Sequence, residues 1–130
     1  MKPRTLKQVP ADGFETVRSI GVQLPGVEAA IRYDGSPMLR VAGRFMACLT
    51  THISAEPGTL VVRIGLEERT WLLEDAPETY YMTDYYRRHP VVLVRLSRID
   101  RDALRDLLSV SRRQTLSKTR RRPRRTVPGA

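Results

Sequence analysis

The chain has 130 residues, of which 41% are hydrophobic and 28% are charged. This length is sufficient for one domain with a modest core and too short for two independent cores joined by a linker. The composition excludes a fibrous or wholly disordered chain. It also excludes a membrane-spanning helix, because the longest aliphatic run, residues 91–94, is far shorter than the roughly 20 apolar residues that a span requires.

The N-terminus and the cysteine content bear on the cellular compartment and on metal binding. No apolar stretch follows the basic N-terminus before Asp12, so we expect no secretory signal peptide. Cys48 is the only cysteine, so it forms no internal disulfide, and with two well-separated histidines it does not complete a structural zinc site. We therefore expect a protein of the reducing cytoplasm.

The net charge of +9 is unevenly distributed along the chain. Residues 111–130 hold eight of the 23 arginines and lysines and no acidic residue. Residues 1–110 hold the other 15 basic residues together with all 14 acidic ones. The sequence thus indicates a nearly neutral body with a strongly cationic tail, and an acidic partner is expected for the tail.

The N-terminal elements are predicted from capping residues and hydrophobic spacing. Residues 1–11 contain two prolines and no apolar period, so we interpret them as a flexible lead-in. Asp12 can cap a helix over residues 13–23, with Glu15 in the capping-box position. This helix should end before Pro25, which disfavours helical backbone in the residue that precedes it.

An alternating pattern over residues 28–64 predicts an antiparallel meander of about four strands. In the third strand, Phe45, Ala47 and Leu49 are expected to share one face, because side chains alternate along a strand. The predicted strands are residues 31–33, residues 38–42, the run that begins at Phe45, and residues 59–64.

The C-terminal half completes an α-β-β-β-β-α-β-β-α order. Acidic residues in the first turn and inward-facing Leu72 and Leu73 predict a helix over residues 66–76. Asp100 is expected to cap a last helix with an apolar stripe. The stripe is Ala103, Leu104, Leu107 and Leu108, and two strands at residues 79–82 and 91–96 flank a loop at residues 83–90. This order predicts an α+β fold with one mostly antiparallel sheet and helices packed on one face.

The other face of this sheet is expected to be partly open. Arg40, Arg63 and Arg95 each alternate with apolar neighbours on different strands, so all three are predicted to project onto the open face. They are either a shared basic surface or three separately solvated arginines.

Two segments near the start of the chain and five shorter ones after them carry a family resemblance. They are Leu24-Pro25-Gly26-Val27-Glu28 and Tyr33-Asp34-Gly35-Ser36-Pro37-Met38-Leu39-Arg40-Val41-Ala42-Gly43-Arg44-Phe45, then Leu60-Val61-Val62-Arg63, Glu68-Arg69 with Leu72-Leu73, Tyr85-Tyr86, Val92-Leu93-Val94-Arg95-Leu96 and Leu104-Arg105-Asp106-Leu107-Leu108. On this ordered set the chain resembles the MmcQ/YjbR-like family over about residues 13–112. It departs from the family pattern near the end of the last helix, where Ser111-Arg112-Arg113 stands in place of a tryptophan.

The resemblance implies a secretion-chaperone-like α+β fold with a double-wing DNA-binding motif, in which β-hairpin loops flank a duplex. Arg44, expected at a hairpin tip, would then be a wing-tip phosphate contact. The family's link in name to a mitomycin gene cluster implies drug sequestration or resistance as an alternative role.

Further candidate nucleic-acid contacts come from the residues themselves. A predicted loop combines stacking rings with cations, at Tyr85, Tyr86, Arg87 and Arg88. The alternative is that one tyrosine anchors the loop while the arginines are solvated.

The cationic C-terminal segment attracts phosphates through counterion release, and Pro123 and Pro128 are expected to keep it from forming a stable helix. Its candidate contacts are Arg112, Arg113, Lys118, Arg120, Arg121, Arg122, Arg124 and Arg125. The alternative for this segment is a disordered solubilising tail, or one that binds any polyanion, including RNA or acidic membrane lipid.

The sequence favours a protein without enzymatic activity. His52 and His89 have no carboxylate or cysteine at metal-ligand spacing, and Cys48 has no recognisable base partner. No phosphate-binding loop, dinucleotide fingerprint or nucleophile elbow is present. We therefore expect no catalytic residue, no metal and no cofactor.

Three hypotheses follow for the whole chain, divided into a lead-in (1–11), a domain (12–115) and a disordered basic tail (116–130). The first is a cytoplasmic DNA-binding protein that holds the phosphate backbone through its sheet loops and tail with weak sequence specificity. The second is a module that binds a small molecule or peptide on the open sheet face. The third is a homodimer through that face, so both a monomer and a homodimer stay open.

Overall fold

The backbone alternates short helices with the strands of a single sheet. The computed structural model describes residues 13–126, with side chains to residue 117. Within this range the elements are α1 (Phe14–Gly21), β1 (Val27–Ile31), β2 (Pro37–Val41), β3 (Arg44–Leu49), β4 (Thr59–Arg63), α2 (Leu66–Asp75), β5 (Tyr80–Tyr81), α3 (Asp84–Arg87), β6 (Val91–Arg95) and α4 (Arg101–Thr126). The α+β class predicted from the sequence is confirmed.

All six strands pair antiparallel in the order β1-β2-β3-β4-β6-β5. β4 and β6 are central, and four of the five residues in each are buried. Because side chains alternate along a strand, such continuous apolar runs require cover on both sheet faces. Helices α1 and α4 supply the cover on one face, and smaller elements supply it on the other.

The main core lies between the sheet and helices α1 and α4. The predicted stripe of α4 is confirmed, since Leu104, Leu107 and Leu108 are buried in this core and Ala103 packs against it. Leu72 and Leu73 of α2 are partly buried against the same core, as predicted. Each fully buried leucine contributes about 1.5–3 kcal/mol, so this interface supplies much of the stability.

A β-bulge in β3 changes which residues share a face. The register with β2 shifts by one residue between Leu39 and Arg40, so one residue of β3 is extra. Met46 and Ala47 both enter the main core, whereas Phe45 and Cys48 lie in the hydrophobic cluster on the opposite face. The prediction that Phe45 shares a face with Ala47 and Leu49 is therefore wrong, because strict alternation does not hold across a bulge.

Three element boundaries also differ from the predictions. β1 lies at Val27–Ile31 instead of residues 31–33, because residues 32–36 form the hairpin loop, in which the Arg32 N–H donates to the Ser36 carbonyl at 2.8 Å. The predicted loop at residues 83–90 contains the one-turn helix α3. The N-cap of α1 is Gly13, while Asp12 and the lead-in lie outside the described residues.

Helix α4 extends beyond the domain boundary predicted at residue 115. Its backbone is helical to Thr126, through the segment in which Pro123 was expected to prevent a helix, and residues 127–130 lie outside the described range. A contact beyond the predicted boundary supports the extension, because Leu116 packs against the main core. The fixed φ of a proline is itself compatible with helical backbone, although its ring removes one hydrogen bond.

Asp100 caps the N-terminus of α4, as predicted, because its Oδ1 accepts a hydrogen bond from the Ala103 N–H at 2.8 Å. We expect Asp100→Ala to lower the free energy of unfolding by about 1 kcal/mol, the usual cost of a lost N-cap. Urea unfolding measures this change. Asp106→Ala, at an exposed position on the same helix, is the control, and an equal loss in both variants would contradict the capping role.

Candidate functional site

The sheet face away from α1 and α4 is covered by a second hydrophobic cluster. Its buried members are Cys48, Val61, Val91 and Leu93. Partly buried side chains pack around them from the neighbouring strands, from the loop after β3 and from α3: Met38, Phe45, Ala55, Tyr81, Met82 and Tyr86. The face predicted to be open is therefore covered in part, and a concave surface lies beside this cover.

This concave surface, which we name the basin, encloses about 670 Å³. The sheet supplies most of its apolar residues together with Phe45 and Arg63, and the β1–β2 loop, the loop after β3 and the α3 region supply the other polar and aromatic residues. The lining residues are Ile31, Arg32, Tyr33, Met38, Phe45, Cys48, Thr51, His52, Val61, Arg63, Tyr85, Tyr86, His89, Pro90 and Val91. The volume lies within the range of small-molecule sites, and the lining includes two arginines and no carboxylate.

Arg63 places a half-buried positive charge in the basin. Its Nε donates to the Phe45 carbonyl at 2.9 Å, and its guanidinium carbon lies 5.8 Å from the centre of the Phe45 ring. No carboxylate of the described residues pairs with it. Burial, and then the nearby charge of Arg44, lower the pKa of Arg63, although an arginine stays protonated in a protein. The basin therefore contains a cation with no counter-charge.

Arg32 is the second arginine of the basin and is already engaged. Its Nη1 donates to the Cys48 Sγ at 3.2 Å, and its Nε lies 4.0 Å from Asp34 Oδ1. Burial raises the pKa of the Cys48 thiol, although the Arg32 charge opposes this. Cys48 is thus a buried, neutral thiol that accepts a hydrogen bond.

His52 and the α3 tyrosines form the aromatic wall of the basin. The rings of His52 and Tyr85 stack with centroids 3.4 Å apart and planes 12° from parallel. The Tyr86 hydroxyl lies 2.7 Å from Thr50 Oγ1, and its ring packs in the second cluster. Tyr86 therefore anchors the segment, as the alternative interpretation of this loop proposed, while Tyr85 is 52% exposed at the rim.

Arg69 of α2 supports this wall from behind. Its guanidinium group donates to the carbonyl oxygens of His89 at 2.8 Å, Val91 at 3.0 Å and Arg87 at 3.3 Å. Burial lowers the pKa of Arg69. Sequence reasoning missed this role, because the three acceptors are backbone atoms 18 to 22 residues away and carry no side-chain signal.

Arg40, Arg63 and Arg95 are not gathered into one basic surface. Arg40 pairs with Glu28 at 3.0 Å and Arg95 pairs with Glu56 at 2.9 Å. In the β4–β6 register Arg95 lies opposite Thr59, four residues from Arg63, a separation of about 13 Å along the strand. Of the three, only Arg63 lines the basin.

Arg44 lies beside the predicted hairpin tip and not at it. Residues Ala42 and Gly43, with φ of 53° and 74°, form the two-residue turn, and Arg44 is the first residue of β3, paired with Val41. Positive φ at both central positions is typical of the type I′ turn that joins tight hairpins. The charge of Arg44 adds to the positive potential at Arg63.

The other predicted nucleic-acid contacts are dispersed. Arg87 lies 3.7 Å from Asp84, and Arg88 is exposed on the same loop. Arg112 donates from its Nε to the Pro25 carbonyl at 2.6 Å, and Arg113 is exposed. The side chains of the remaining predicted contacts lie outside the described residues: Lys118, Arg120, Arg121, Arg122, Arg124 and Arg125.

Searches for metal sites and membrane spans in the described part of the chain are negative. No group of three or more His, Cys, Asp or Glu side chains there could hold a metal ion. None of the described helices has the length and apolar character needed to cross a membrane.

Comparison of the chain with protein-family models, with curated proteins and with solved structures gives no significant match. The resemblance to the MmcQ/YjbR-like family therefore stays a prediction, and the basin is interpreted from its own chemistry.

The Arg95–Glu56 pair should make stability depend on pH. The hydrogen bond from Arg95 holds the pKa of Glu56 below its usual value, so the pair stabilises the fold above the unfolded-state pKa of about 4.3 and loses this effect as the pH falls through the lower folded-state value. We expect Glu56→Gln to cost less than about 1 kcal/mol near neutral pH, because the pair is partly exposed.

Urea unfolding of the wild type and Glu56→Gln at about pH 7 and about pH 3 measures this effect. The difference between them should shrink at the lower pH. Glu78→Gln is the control, because Glu78 is exposed and takes part in none of the ion pairs among the described residues. A Glu56→Gln cost that is the same at both pH values would contradict the assignment.

Proposed function

We propose that this protein binds a small organic anion in the basin. The observation that carries the proposal is Arg63, a half-buried cation without a carboxylate partner in a concavity whose lining contains no acidic residue. A partly desolvated charge without a counter-charge is costly to maintain. An anionic ligand supplies the missing counter-charge.

The surroundings of Arg63 favour recognition of a carboxylate, sulfonate or phosphate group. The bond from its Nε to the Phe45 carbonyl holds the guanidinium plane, and the terminal nitrogens of a guanidinium group suit a planar or tetrahedral oxyanion. Val61, Cys48 and Met38 offer an apolar surface to the rest of the ligand. Charge selects the ligand, and burial of apolar area adds to its affinity.

The proposal is one of binding without catalysis. The thiol of Cys48 is neutral and bonded to Arg32, and the Nδ1 of His52 is engaged by the Ser54 backbone. Neither group is placed as an activated nucleophile with its base. A cytoplasmic location is a finer part of the same proposal and rests on the sequence. The secretion-chaperone-like fold label and a role in drug sequestration are also finer parts of it, and they rest on the resemblance to the MmcQ/YjbR-like family.

The role of Arg63 can be tested with the fluorescent dye anilinonaphthalene sulfonate, an aromatic anion. We expect Arg63→Gln to weaken dye binding about tenfold, because a charge-assisted hydrogen bond contributes about 1.5–3 kcal/mol and part of the site stays intact. Arg63→Lys keeps the charge and loses the planar fork of the guanidinium group, so its affinity for the dye should lie between those of the wild type and Arg63→Gln.

Arg101→Gln is the matched control for this test. It removes the same charge from an exposed position on α4, on the opposite side of the sheet from the basin. Equal weakening by Arg101→Gln and Arg63→Gln would mean that net charge alone attracts the dye. Unchanged binding by Arg63→Gln would overturn the proposal.

A second candidate function, contact with nucleic acid, is supported by the charge of the last helix. Its residues from Ser111 onward include eight basic and no acidic ones, and their backbone is helical to Thr126. Such a segment neutralises phosphates without reading the base sequence. We propose this segment, with Arg87 and Arg88, as the polyanion-binding part of the chain, with DNA as the first ligand to test.

Fluorescence anisotropy with a mixed-sequence duplex across a salt series measures this activity. If about five phosphates are neutralised, log affinity should fall with log salt at a slope of about −4.5. A full-length variant with glutamine at the six basic positions from Lys118 to Arg125 should show a shallower slope. An affinity of the wild type for the duplex that does not change with salt would contradict the candidate function.

A further inference from the structure

Tyr85 presents an aromatic surface at the rim of the basin. Its side chain is 52% exposed although it lies in the only turn of α3. A tyrosine ring offers a flat face on which another aromatic ring can stack. The packing around Tyr85 therefore decides whether its ring is available to a ligand.

The ring of Tyr85 has one covered face. His52 stacks against that face at 3.4 Å. The Tyr86 centroid lies 5.0 Å from Tyr85 and 6.0 Å from His52, and these three separations form a triangle with a right angle at Tyr85. Tyr86 therefore lies beside the stack. His89 is tilted by 54° with its centroid 6.4 Å away, so it does not stack on the ring either.

The covered face is held in place by hydrogen bonds around His52. Its Nδ1 accepts the Ser54 N–H at 3.0 Å, which leaves the proton of the neutral ring on Nε2. The Ser54 hydroxyl also lies 2.9 Å from this Nδ1 and 3.1 Å from the Thr83 hydroxyl, immediately before α3. The loop that carries His52 is thus tied to the helix that carries Tyr85, and the stack is formed before any ligand binds.

We propose that a planar aromatic ring of the ligand stacks on the free face of Tyr85 and extends the His52–Tyr85 stack. This inference rests on the proposed function and narrows it: the ligand is an aromatic anion, with its charged group at Arg63 and its ring at Tyr85, both of which line the same basin. A preformed stack lowers the ordering cost of binding, since its side chains lose little freedom when the ligand arrives.

The test compares two anions of equal charge and carbon skeleton, naphthoate and its saturated counterpart decahydronaphthoate. Titration calorimetry gives the affinity of each for the wild type and for Tyr85→Leu, Tyr85→Phe and Tyr33→Leu. We expect the wild type to prefer naphthoate about fivefold, which is within the range for an aromatic pair beyond area burial. Tyr85→Phe should keep this preference and Tyr85→Leu should lose it.

Tyr33→Leu is the matched control, because Tyr33 is an exposed tyrosine that lines the basin from the β1–β2 loop. Loss of the preference in Tyr33→Leu, or its persistence in Tyr85→Leu, would overturn the assignment to Tyr85. Equal affinities for both anions in the wild type would overturn stacking and leave anion binding intact. Binding of neither anion would overturn both this inference and the proposed function.

Discussion

The β-bulge in β3 determines the layout of both sheet faces. The bulge adds Met46 as an extra residue of β3, so the consecutive side chains of Met46 and Ala47 both enter the main core. Phe45 and Cys48, three positions apart, then lie together on the opposite face. The Phe45 carbonyl and ring hold Arg63, and the Cys48 sulfur accepts from Arg32. Both arginine contacts in the basin therefore depend on a single irregularity of one strand.

The walls of the basin are loops, and polar contacts hold them in place. Arg69 joins α2 to three carbonyl oxygens between the end of α3 and the start of β6. The Ser54 and Thr83 hydroxyls join the two loops on the other side. Loops that carry binding residues are usually mobile unless a rigid scaffold positions them. Here each wall is tied to an element that packs on the sheet, so the site has a defined shape when empty.

Much of the fold follows from local patterns, and the site depends on tertiary contacts. Alternation over residues 28–64 predicted a meander that includes β2, β3 and β4, and the spacing of Leu104, Leu107 and Leu108 identified the face of α4, because these signals come from neighbouring residues. The bulge at Met46 interrupts alternation and has no local marker, so Phe45 was assigned to the wrong face. The pairing of Arg40 and Arg95 with glutamates, and the lack of such a pair at Arg63, depends on residues distant in sequence.

Arg63 also connects binding to the stability of the empty protein. A partly desolvated cation without a counter-charge lowers the stability of the folded chain, whereas a ligand that neutralises it favours the folded state by mass action. An apolar residue at this position would favour the empty fold and oppose ligand binding. Selection for stability and selection for function therefore act in opposite directions at this one residue, a trade-off typical of preorganised sites.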